Sequence, residues 1–285
     1  MVSVNNLKTK HFPTWCPGCG NYSIWTALQN AIVEIGLRIS DFVLVYGIGC
    51  HGNMFNTLNV VNFETLHGRP IPVAEGIKLA NNRLQVIVIA GDGDTLGEGT
   101  NHLIHAARRN IDITVLMHDN QVYGLTTGQT SPTSAKGFKS RSTPLGVIEE
   151  PINPVALAIA GGASFVARSF AGDILELTKV IIAAIKHRGF SFVDILQPCV
   201  TFNSHNSYQW YRQNIYKLPK NYKMNNKIVA FKKSLEWEKK IPVGIFYRQL
   251  KSTYEEETQQ FKDCPLISSS LPASKAVAEL LDELI

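Results

Sequence analysis

Two polar side chains, Asp92 and Asn120, each follow a run of apolar residues typical of a buried strand. Asp92 lies in the sequence GDGD after the run 85–90, and Asn120 ends the sequence MHDN after the run 111–116. Ligands of parallel α/β sheets bind outside the carboxyl ends of the strands, so this spacing brings both side chains to one edge. Carboxylate and amide oxygens there suit Mg²⁺, which shares its remaining coordination with phosphate oxygens. The pattern predicts a site for Mg²⁺ and a phosphate group, with an ordinary βαβ turn as the alternative.

Four cysteines form a second group of residues that could take part in chemistry. Cys16, Cys19, Cys50 and Cys199 each lie in a loop that contains glycine or proline, and two of these loops follow apolar strands. Cysteines that are distant in sequence but share one edge suggest a single thiolate site for zinc or a [4Fe–4S] cluster. Zinc sites more often contain two close pairs. One pair and two single cysteines favour the cluster.

Simpler interpretations of these cysteines remain open. The sequence WCPGC at 15–19 is similar to a thioredoxin-type redox pair, but no strand precedes it and its Pro and Gly stand in the reverse order. Cys50 and Cys199 could be buried cysteines that pack as small hydrophobes. Cys264 lies in a polar segment without a glycine loop and is interpreted as incidental.

The two groups need a sheet that presents several strand ends together. Apolar runs predict strands, and helical spacing of apolar residues, together with caps such as Asn153-Pro154, predicts the helices between them. The alternation of the two predicts an α/β fold with a doubly wound, mostly parallel sheet. The predicted strands are 42–46, 85–90, 111–116, 163–167 and 190–196, and the predicted helices are 21–35, 72–81, 96–110, 154–161 and 173–186.

Composition limits the remaining possibilities. The chain has 285 residues, of which 45% are apolar and 18% are charged, as expected for a globular protein with a sizeable core. No apolar run reaches the roughly 20 residues that span a bilayer, and the first residues lack the apolar core of a signal peptide. These features predict a cytoplasmic protein without a membrane partner. The net charge of +5 is modest and nucleic-acid-binding signatures are absent, so no nucleic acid is expected.

The motifs together resemble a known family. Gly-Asp-Gly followed after 26 residues by Asn is similar to the motif of thiamin diphosphate enzymes. Combined with WCPGCG, GIGC, DNQVYGLTTGQTSPT and a late PC, it resembles the β subunit of a 2-oxoacid:ferredoxin oxidoreductase of the archaeal type. The resemblance extends from about His11 to Phe202. It implies the thiamin-diphosphate-binding fold of the pyrophosphate-binding type.

The resemblance also implies roles for individual residues. Asp92, Asn120 and the carbonyl of Val122 would hold Mg²⁺, and the four cysteines would bind one [4Fe–4S] cluster. The activating glutamate of thiamin enzymes would lie on a partner chain, so no catalytic residue is assigned here. The residues implied to contact the cofactor are Gly47, Ile48, Gly49, Cys50, His67, Gly91, Asp92, Gly93, Asp94, Asn120, Val122, Gly124, Leu125 and Thr126.

The implied reaction is oxidative decarboxylation of a 2-oxoacid. Pyruvate, 2-oxoglutarate or a broad range of 2-oxoacids would be converted with coenzyme A to acyl-CoA and CO₂. The electrons would pass through the cluster to ferredoxin. The partner would be an α subunit in a heterodimer or a dimer of heterodimers, and the chain alone would be inactive.

The alternation of strands and helices fades after about residue 202. We therefore predict one cofactor-binding domain at 1–202 and a C-terminal extension at 203–285 that serves as an arm or partner contact. Eight lysines and two glutamates fall between 217 and 240. They are a solvated surface or, as a sharper hypothesis, a docking site for acidic ferredoxin at Lys232 and Lys233.

Two other functions are compatible with parts of the sequence. One is a non-redox thiamin diphosphate enzyme, a decarboxylase or synthase, in which the cysteines hold structural zinc. The other is an iron–sulfur electron-transfer module that binds no thiamin, which leaves Asp92 and Asn120 unexplained. Glu98, His102 and His105 have helical spacing suited to a metal, but they form no recognised motif and are interpreted as ordinary helix residues.

Overall fold

A computed structural model describes residues 3–237, 239–261, 265–268 and 282–283; Cys264 lies outside them. The strands are β1 (Phe42–Tyr46), β2 (Val61–Glu64), β3 (Gln85–Gly91), β4 (Ile113–Asp119), β5 (Val122–Tyr123), β6 (Gln129–Thr130), β7 (Phe165–Phe170), β8 (Ser191–Leu196), β9 (Ile215–Lys217) and β10 (Ile241–Arg248). The helices are α1 (Val4–Leu7), α2 (Gly20–Ile35), α3 (Pro70–Ala80), α4 (Thr100–Arg109), α5 (Pro154–Gly161), α6 (Ile174–Ile185), α7 (Tyr208–Asn214), α8 (Lys227–Ser234) and α9 (Tyr254–Glu257).

Eight strands form one sheet in the order β2-β1-β3-β4-β8-β7-β10-β9. The first six in this order are parallel to their neighbours, whereas β10 runs antiparallel to β7 and β9 runs parallel to β10. β5 and β6 form a separate hairpin. The predicted α/β fold with a doubly wound, mostly parallel sheet is confirmed.

The core lies on both faces of the sheet because successive side chains of a strand point to opposite sides. In β1, Phe42, Leu44 and Tyr46 pack into the layer that contains α2 and α6. Val43 and Val45 pack into the opposite layer, which contains α3, α4, α5 and α8. Burial on both faces explains why the central strands are continuous apolar runs.

Glycines and caps set several helix ends close to the predicted positions. α2 ends at Gly36, which adopts a left-handed φ of 76°. Asn153 caps α5 by accepting a hydrogen bond from the backbone N–H of Ala156, and Pro154 begins the helix. The single helix predicted for 96–110 is wrong, since a π-helical turn over Asp94–Glu98 precedes α4. Gly99 lies between the two helical segments, and its lack of a side chain permits a close approach, since a Cβ there would lie 2.7 Å from the Asp94 carbonyl oxygen.

Three strands of the sheet were not predicted. β2 is an exposed edge strand without a continuous apolar pattern. β9 and β10 come from the predicted C-terminal extension, so part of that extension belongs to the main sheet. Its residues Tyr211, Ile241 and Val243 also contribute to a buried apolar cluster.

Candidate functional site

The carboxyl ends of β1, β3 and β4, together with the β5–β6 hairpin, surround a cavity of about 500 Å³. Every residue predicted to contact a cofactor lines this cavity except Gly47, which packs behind it. Five lining residues were not predicted as contacts: His51, Glu98, Tyr123, Gln129 and Thr130. The structure therefore gathers residues from four stretches of the chain around one space: 48–51, 67, 91–98 and 120–130.

Asp92 is a buried carboxylate that its neighbours hold in place. The hydroxyl groups of Ser131 and Thr133 donate hydrogen bonds to its Oδ2 over 2.5 and 2.6 Å. Burial raises the pKa of Asp92, while these hydrogen bonds oppose the rise. Both hydroxyls come from the polar sequence TSPT that follows the hairpin. They fix the side chain without placing a charge beside it.

Asn120 follows the end of β4, next to the strand that carries Asp92. The register pairs Gly91 with His118, so Asp92 comes opposite Asp119, and Asn120 follows one residue later at the same edge of the sheet. The Oδ1 atom of Asn120 accepts a hydrogen bond from the backbone N–H of Val122 over 3.0 Å. Asn203 donates to the Asn120 carbonyl oxygen over 3.1 Å. Asp92 and Asn120 thus both line the cavity at the same edge of the sheet, and hydrogen bonds hold each of them in place.

Asp94 has a different role from Asp92. Its Oδ1 atom accepts a hydrogen bond from the Gly68 N–H over 2.6 Å and contacts the His67 Nδ1 atom at 3.0 Å. Its Oδ2 atom lies 3.6 Å from Nε2 of His51. Burial favours the neutral form, but the contacts with His51 and His67 prevail and lower the pKa of Asp94 to about 2. Asp94 thus ties two loops to the cavity wall as an ionised carboxylate.

Three glycines let backbone and side chains approach closely at this wall. A Cβ at Gly47 would collide with the Asp94 carboxylate, and one at Gly93 would collide with the Tyr123 ring. A Cβ at Gly124 would lie 3.3 Å from the Cys50 sulfur. Gly47 and Gly93 therefore require glycine for packing, whether or not they also contact a ligand, whereas Gly124 is only tightly packed.

The four cysteines predicted as ligands converge beside the cavity with free thiols. Cys19 and Cys199 are buried, Cys50 is half-buried and lines the cavity, and Cys16 is exposed. Burial, reinforced by the nearby Cys199 and Cys16, raises the pKa of the Cys19 thiol to about 11. Burial and the other three cysteines raise the pKa of Cys50 to about 12. Gly124 lies between two of these thiols, since a Cβ there would be 3.3 Å from the Cys50 sulfur and 3.9 Å from the Cys199 sulfur.

Hydrogen bonds join the loops that carry these cysteines. The Trp15 indole N–H donates to the Cys50 carbonyl oxygen over 2.6 Å, and the Gly20 N–H donates to that of Pro198 over 3.2 Å. The side-chain amide of Gln197 donates to the Cys19 sulfur over 3.6 Å. Among the described residues, no three His, Cys, Asp or Glu side chains are close enough to hold a single metal ion. This also applies to Glu98, His102 and His105.

Comparisons with known proteins give the family of this arrangement. Residues 47–195 match the family described as thiamine pyrophosphate enzyme, C-terminal TPP binding domain. Residues 199–263 match the family of the C-terminal part of the pyruvate ferredoxin oxidoreductase β chain. A 2-oxoacid:ferredoxin oxidoreductase subunit beta from a Sulfolobus species is 48% identical over 262 residues, which cover 87% of this chain and 86% of that protein.

The chain belongs to the 2-oxoacid:ferredoxin oxidoreductase β subunits. An Archaeoglobus fulgidus 2-oxoglutarate synthase subunit is 43% identical over 196 residues, covering 68% of this chain and 73% of that one. A solved structure of 2-oxoglutarate:ferredoxin oxidoreductase from Magnetococcus marinus, with 2-oxoglutarate, coenzyme A and succinyl-CoA bound, has a TM-score of 0.92 at 32% identity. It covers 98% of this chain and 96% of that one. The predicted family is confirmed.

The groups of this β subunit that hold the predicted ligands in place were not predicted. Ser131 and Thr133 were seen only as part of a polar loop, and His51 was not assigned although it directly follows Cys50. A hydroxyl-rich segment that comes shortly after a motif Asn was the available signal. No helix in the described part of the chain is long and apolar enough to cross a membrane.

Proposed function

We propose that the cavity binds thiamin diphosphate with Mg²⁺ and that the chain, with an α subunit, converts a 2-oxoacid and coenzyme A to acyl-CoA and CO₂. One observation carries the proposal: Cys50 lines the cavity and is also one of the four converging cysteines. A decarboxylation site and an electron acceptor would thus share a wall. This is the arrangement an oxidative decarboxylase needs.

The residues around Asp92 fit Mg²⁺ bound to a diphosphate. Asp92, Asn120 and the Val122 carbonyl supply oxygen ligands, which suit this hard cation better than nitrogen or sulfur. The hydroxyls of Ser131 and Thr133 fix Asp92 through one oxygen. Gly91 and Gly93 themselves place no side chain in the cavity, so that their backbone N–H groups could approach phosphate oxygens.

Bound thiamin diphosphate would supply the carbon nucleophile and the electron sink that decarboxylation of a 2-oxoacid requires. The residues of this chain would bind and orient it. Asp92 and Asn120 would anchor its charged end, while the contacts of Asp94 with His51 and His67 would keep the loops of the wall in place. Leu125, 56% exposed at the cavity, would contact the reacting end or the substrate.

The cysteines fit a [4Fe–4S] cluster better than a zinc ion. A single zinc ion draws its thiolates to about 2.3 Å, which requires sulfurs packed closely together. A cluster spreads its ligands over the corners of a cube, and one close pair with two single cysteines suits it better than the two close pairs typical of zinc sites. Cys16, Cys19, Cys50 and Cys199 would therefore hold the cluster, which would accept electrons one at a time and pass them to ferredoxin.

An α subunit would complete the site. By the family resemblance, the activating glutamate would lie on that subunit. The α subunit would shield the open side of the cavity, where Ile48 and Leu66 are exposed. We expect the isolated chain to have no decarboxylase activity and to gain it when the α subunit is added.

Two variants of the reconstituted complex test this function. We expect Asp92→Ala to lose thiamin diphosphate binding and activity but to keep its iron and visible absorbance. Cys199→Ala should keep cofactor binding but lose the cluster and ferredoxin reduction. Normal ferredoxin reduction by both variants would refute the site assignment. Zinc without iron in anaerobically purified protein would favour the non-redox enzyme, and a cluster without any thiamin dependence would favour the electron-transfer module.

A further inference from the structure

Cys16 is the exposed member of the four cysteines. Cys19 and Cys199 are buried, and Cys50 faces the cavity. Cys16 is followed by the exposed Pro17 and Gly18, and Val200 packs against Gly18 from the other cysteine loop. Electrons that reach the proposed cluster from the cavity, on the side of Cys50, would therefore come nearest to the protein surface at Cys16.

The segments that form this surface carry no acidic residues. The sequence contains no Asp or Glu from residue 1 to 33, nor from residue 195 to 235. Lys8, Lys10 and Arg212 are exposed on these segments. Arg212 lies over the ring of Tyr208, 5.7 Å from its centroid, and Cys19 acts on the same hydroxyl: burial raises the pKa of Tyr208, Cys19 adds to the rise, and Arg212 opposes it. The two segments that form the surface around Cys16 thus carry exposed positive charges and no negative ones.

Aromatic packing gives this surface a fixed shape. Trp15 stacks edge-on against Tyr22, with ring centroids 5.0 Å apart. Phe12, 69% exposed, contacts the Tyr22 and Trp25 rings at 5.9 Å each. Lys8 lies over Trp25 at 5.5 Å from the ring centroid. An exposed aromatic ring among positive charges is a typical feature of a protein-binding surface.

The lysine-rich helix α8 lies on the other side of the sheet. Ala230 of α8 packs into the layer with α3, α4 and α5. Trp15, Cys19 and Cys50 pack in the opposite layer, with α2 and α6. Lys233 is in addition paired with Glu236. Lys232 and Lys233 are therefore poorly placed to bring a partner close to the cysteines.

We infer that an acidic ferredoxin docks on the surface around Cys16, formed by residues 8–18 and 199–212, and not on α8. The inference rests on the proposed function, because it assumes that the cysteines hold a cluster. In each encounter one electron would pass from the reduced cluster to oxidised ferredoxin, and no bond would be made or broken. The positive charges would speed the encounter, and Phe12 would contact the partner directly.

Charge reversal in the reconstituted complex tests the docking surface. Lys10→Glu combined with Arg212→Glu should lower kcat/KM for ferredoxin about tenfold at low salt, and the loss should shrink at high salt. The matched control, Lys232→Glu with Lys233→Glu, should change it little. Reduction of methyl viologen, a small cation that needs no docking, should not fall in either variant.

The outcomes separate the two proposals. If viologen reduction and iron content are normal but only the α8 variant loses ferredoxin activity, or neither variant does, the docking surface is wrong and the proposed function stands. If the wild-type complex contains no iron or fails to reduce viologen with a 2-oxoacid and coenzyme A, the proposed function falls and the docking surface falls with it.

Discussion

The side-chain amide of Gln197 donates a hydrogen bond to the sulfur of Cys19 across 3.6 Å, and both side chains are buried. Such a bond stabilises negative charge on sulfur, which is greater in a reduced cluster than in an oxidised one. If the cysteines hold the proposed cluster, we expect Gln197→Leu to lower its reduction potential in a redox titration followed by electron paramagnetic resonance. Gln209→Leu, on the exposed side of α7, is the control. An unchanged potential in Gln197→Leu protein with full iron content would contradict this role.

The hydrogen bond from Thr133 to Asp92 should matter for cation affinity. Thr133→Val keeps the side-chain shape but removes a hydroxyl that fixes the carboxylate over 2.6 Å. Loss of a group that orients a metal ligand weakens metal binding by about 10- to 100-fold. The concentration of Mg²⁺ that gives half-maximal activity should rise accordingly after chelation. Thr178→Val, on α6, should leave it unchanged, and equal values for the two variants would refute the prediction.

The ion pair of Arg168 and Asp194 is completely buried, with 2.7 Å between Nε and Oδ2. Removing one partner leaves an uncompensated charge in the core, so Arg168→Met should reduce the free energy of unfolding by about 3–5 kcal/mol. Asp194→Leu added to it should restore part of the loss. The exposed pair of Lys136 and Glu150 is the control, and Lys136→Met should cost less than about 1 kcal/mol. Urea unfolding provides the comparison, and similar losses for Arg168→Met and Lys136→Met would exclude this account.

His187 should make stability depend on pH. Its Nε2 atom hydrogen-bonds to the Ser164 hydroxyl over 2.8 Å, and burial, aided by Arg248, lowers its pKa from 6.5 to about 4. Between these values the unfolded chain binds a proton that the folded chain does not, so stability falls as the pH decreases from 6.5 to 4. Protonation of His187 over this pH range should lower the free energy of unfolding by about 3 kcal/mol.

Replacement of His187 by glutamine removes this titration. Urea unfolding at pH 7 and at pH 4.5 should show a smaller loss of stability on acidification for His187→Gln than for the natural protein. An identical pH dependence of the two proteins would show that His187 does not titrate in this range.

Local sequence patterns account for most of the central sheet. The strand predicted at 42–46 has the same bounds as β1, because it is a short apolar run buried on both faces. Asp92 and Asn120 could be placed on one edge because adjacent parallel strands end at the same level. Cys50 and Cys199 could be grouped because both follow parallel strands of this sheet, β1 and β8. These inferences needed only the strand ends and no side-chain contacts.

Long-range pairing explains what the sequence did not reveal. β10 follows a lysine-rich segment and pairs with β7, more than seventy residues earlier, in the antiparallel direction. Its apolar residues therefore did not fit the alternation of the preceding units. Ser131 and Thr133 donate to Asp92 across about forty residues, and hydroxyl groups in a polar loop carry no periodic pattern. Such contacts depend on the folded path of the chain.

The cysteine loops have a consequence for how the chain assembles. Cys16 and Cys19 lie before the first strand of the sheet, whereas Cys199 follows β8, one of its last parallel strands. A group bound to Cys16, Cys19 and Cys199 would cross-link the chain and enclose nearly the whole α/β unit in one loop. Closing so long a loop removes much freedom from the unfolded chain. Oxidative loss of the proposed cluster would then remove the cross-link between the segment before α2 and the Cys199 loop. Oxygen damage would therefore destabilise the fold as well as stop electron transfer.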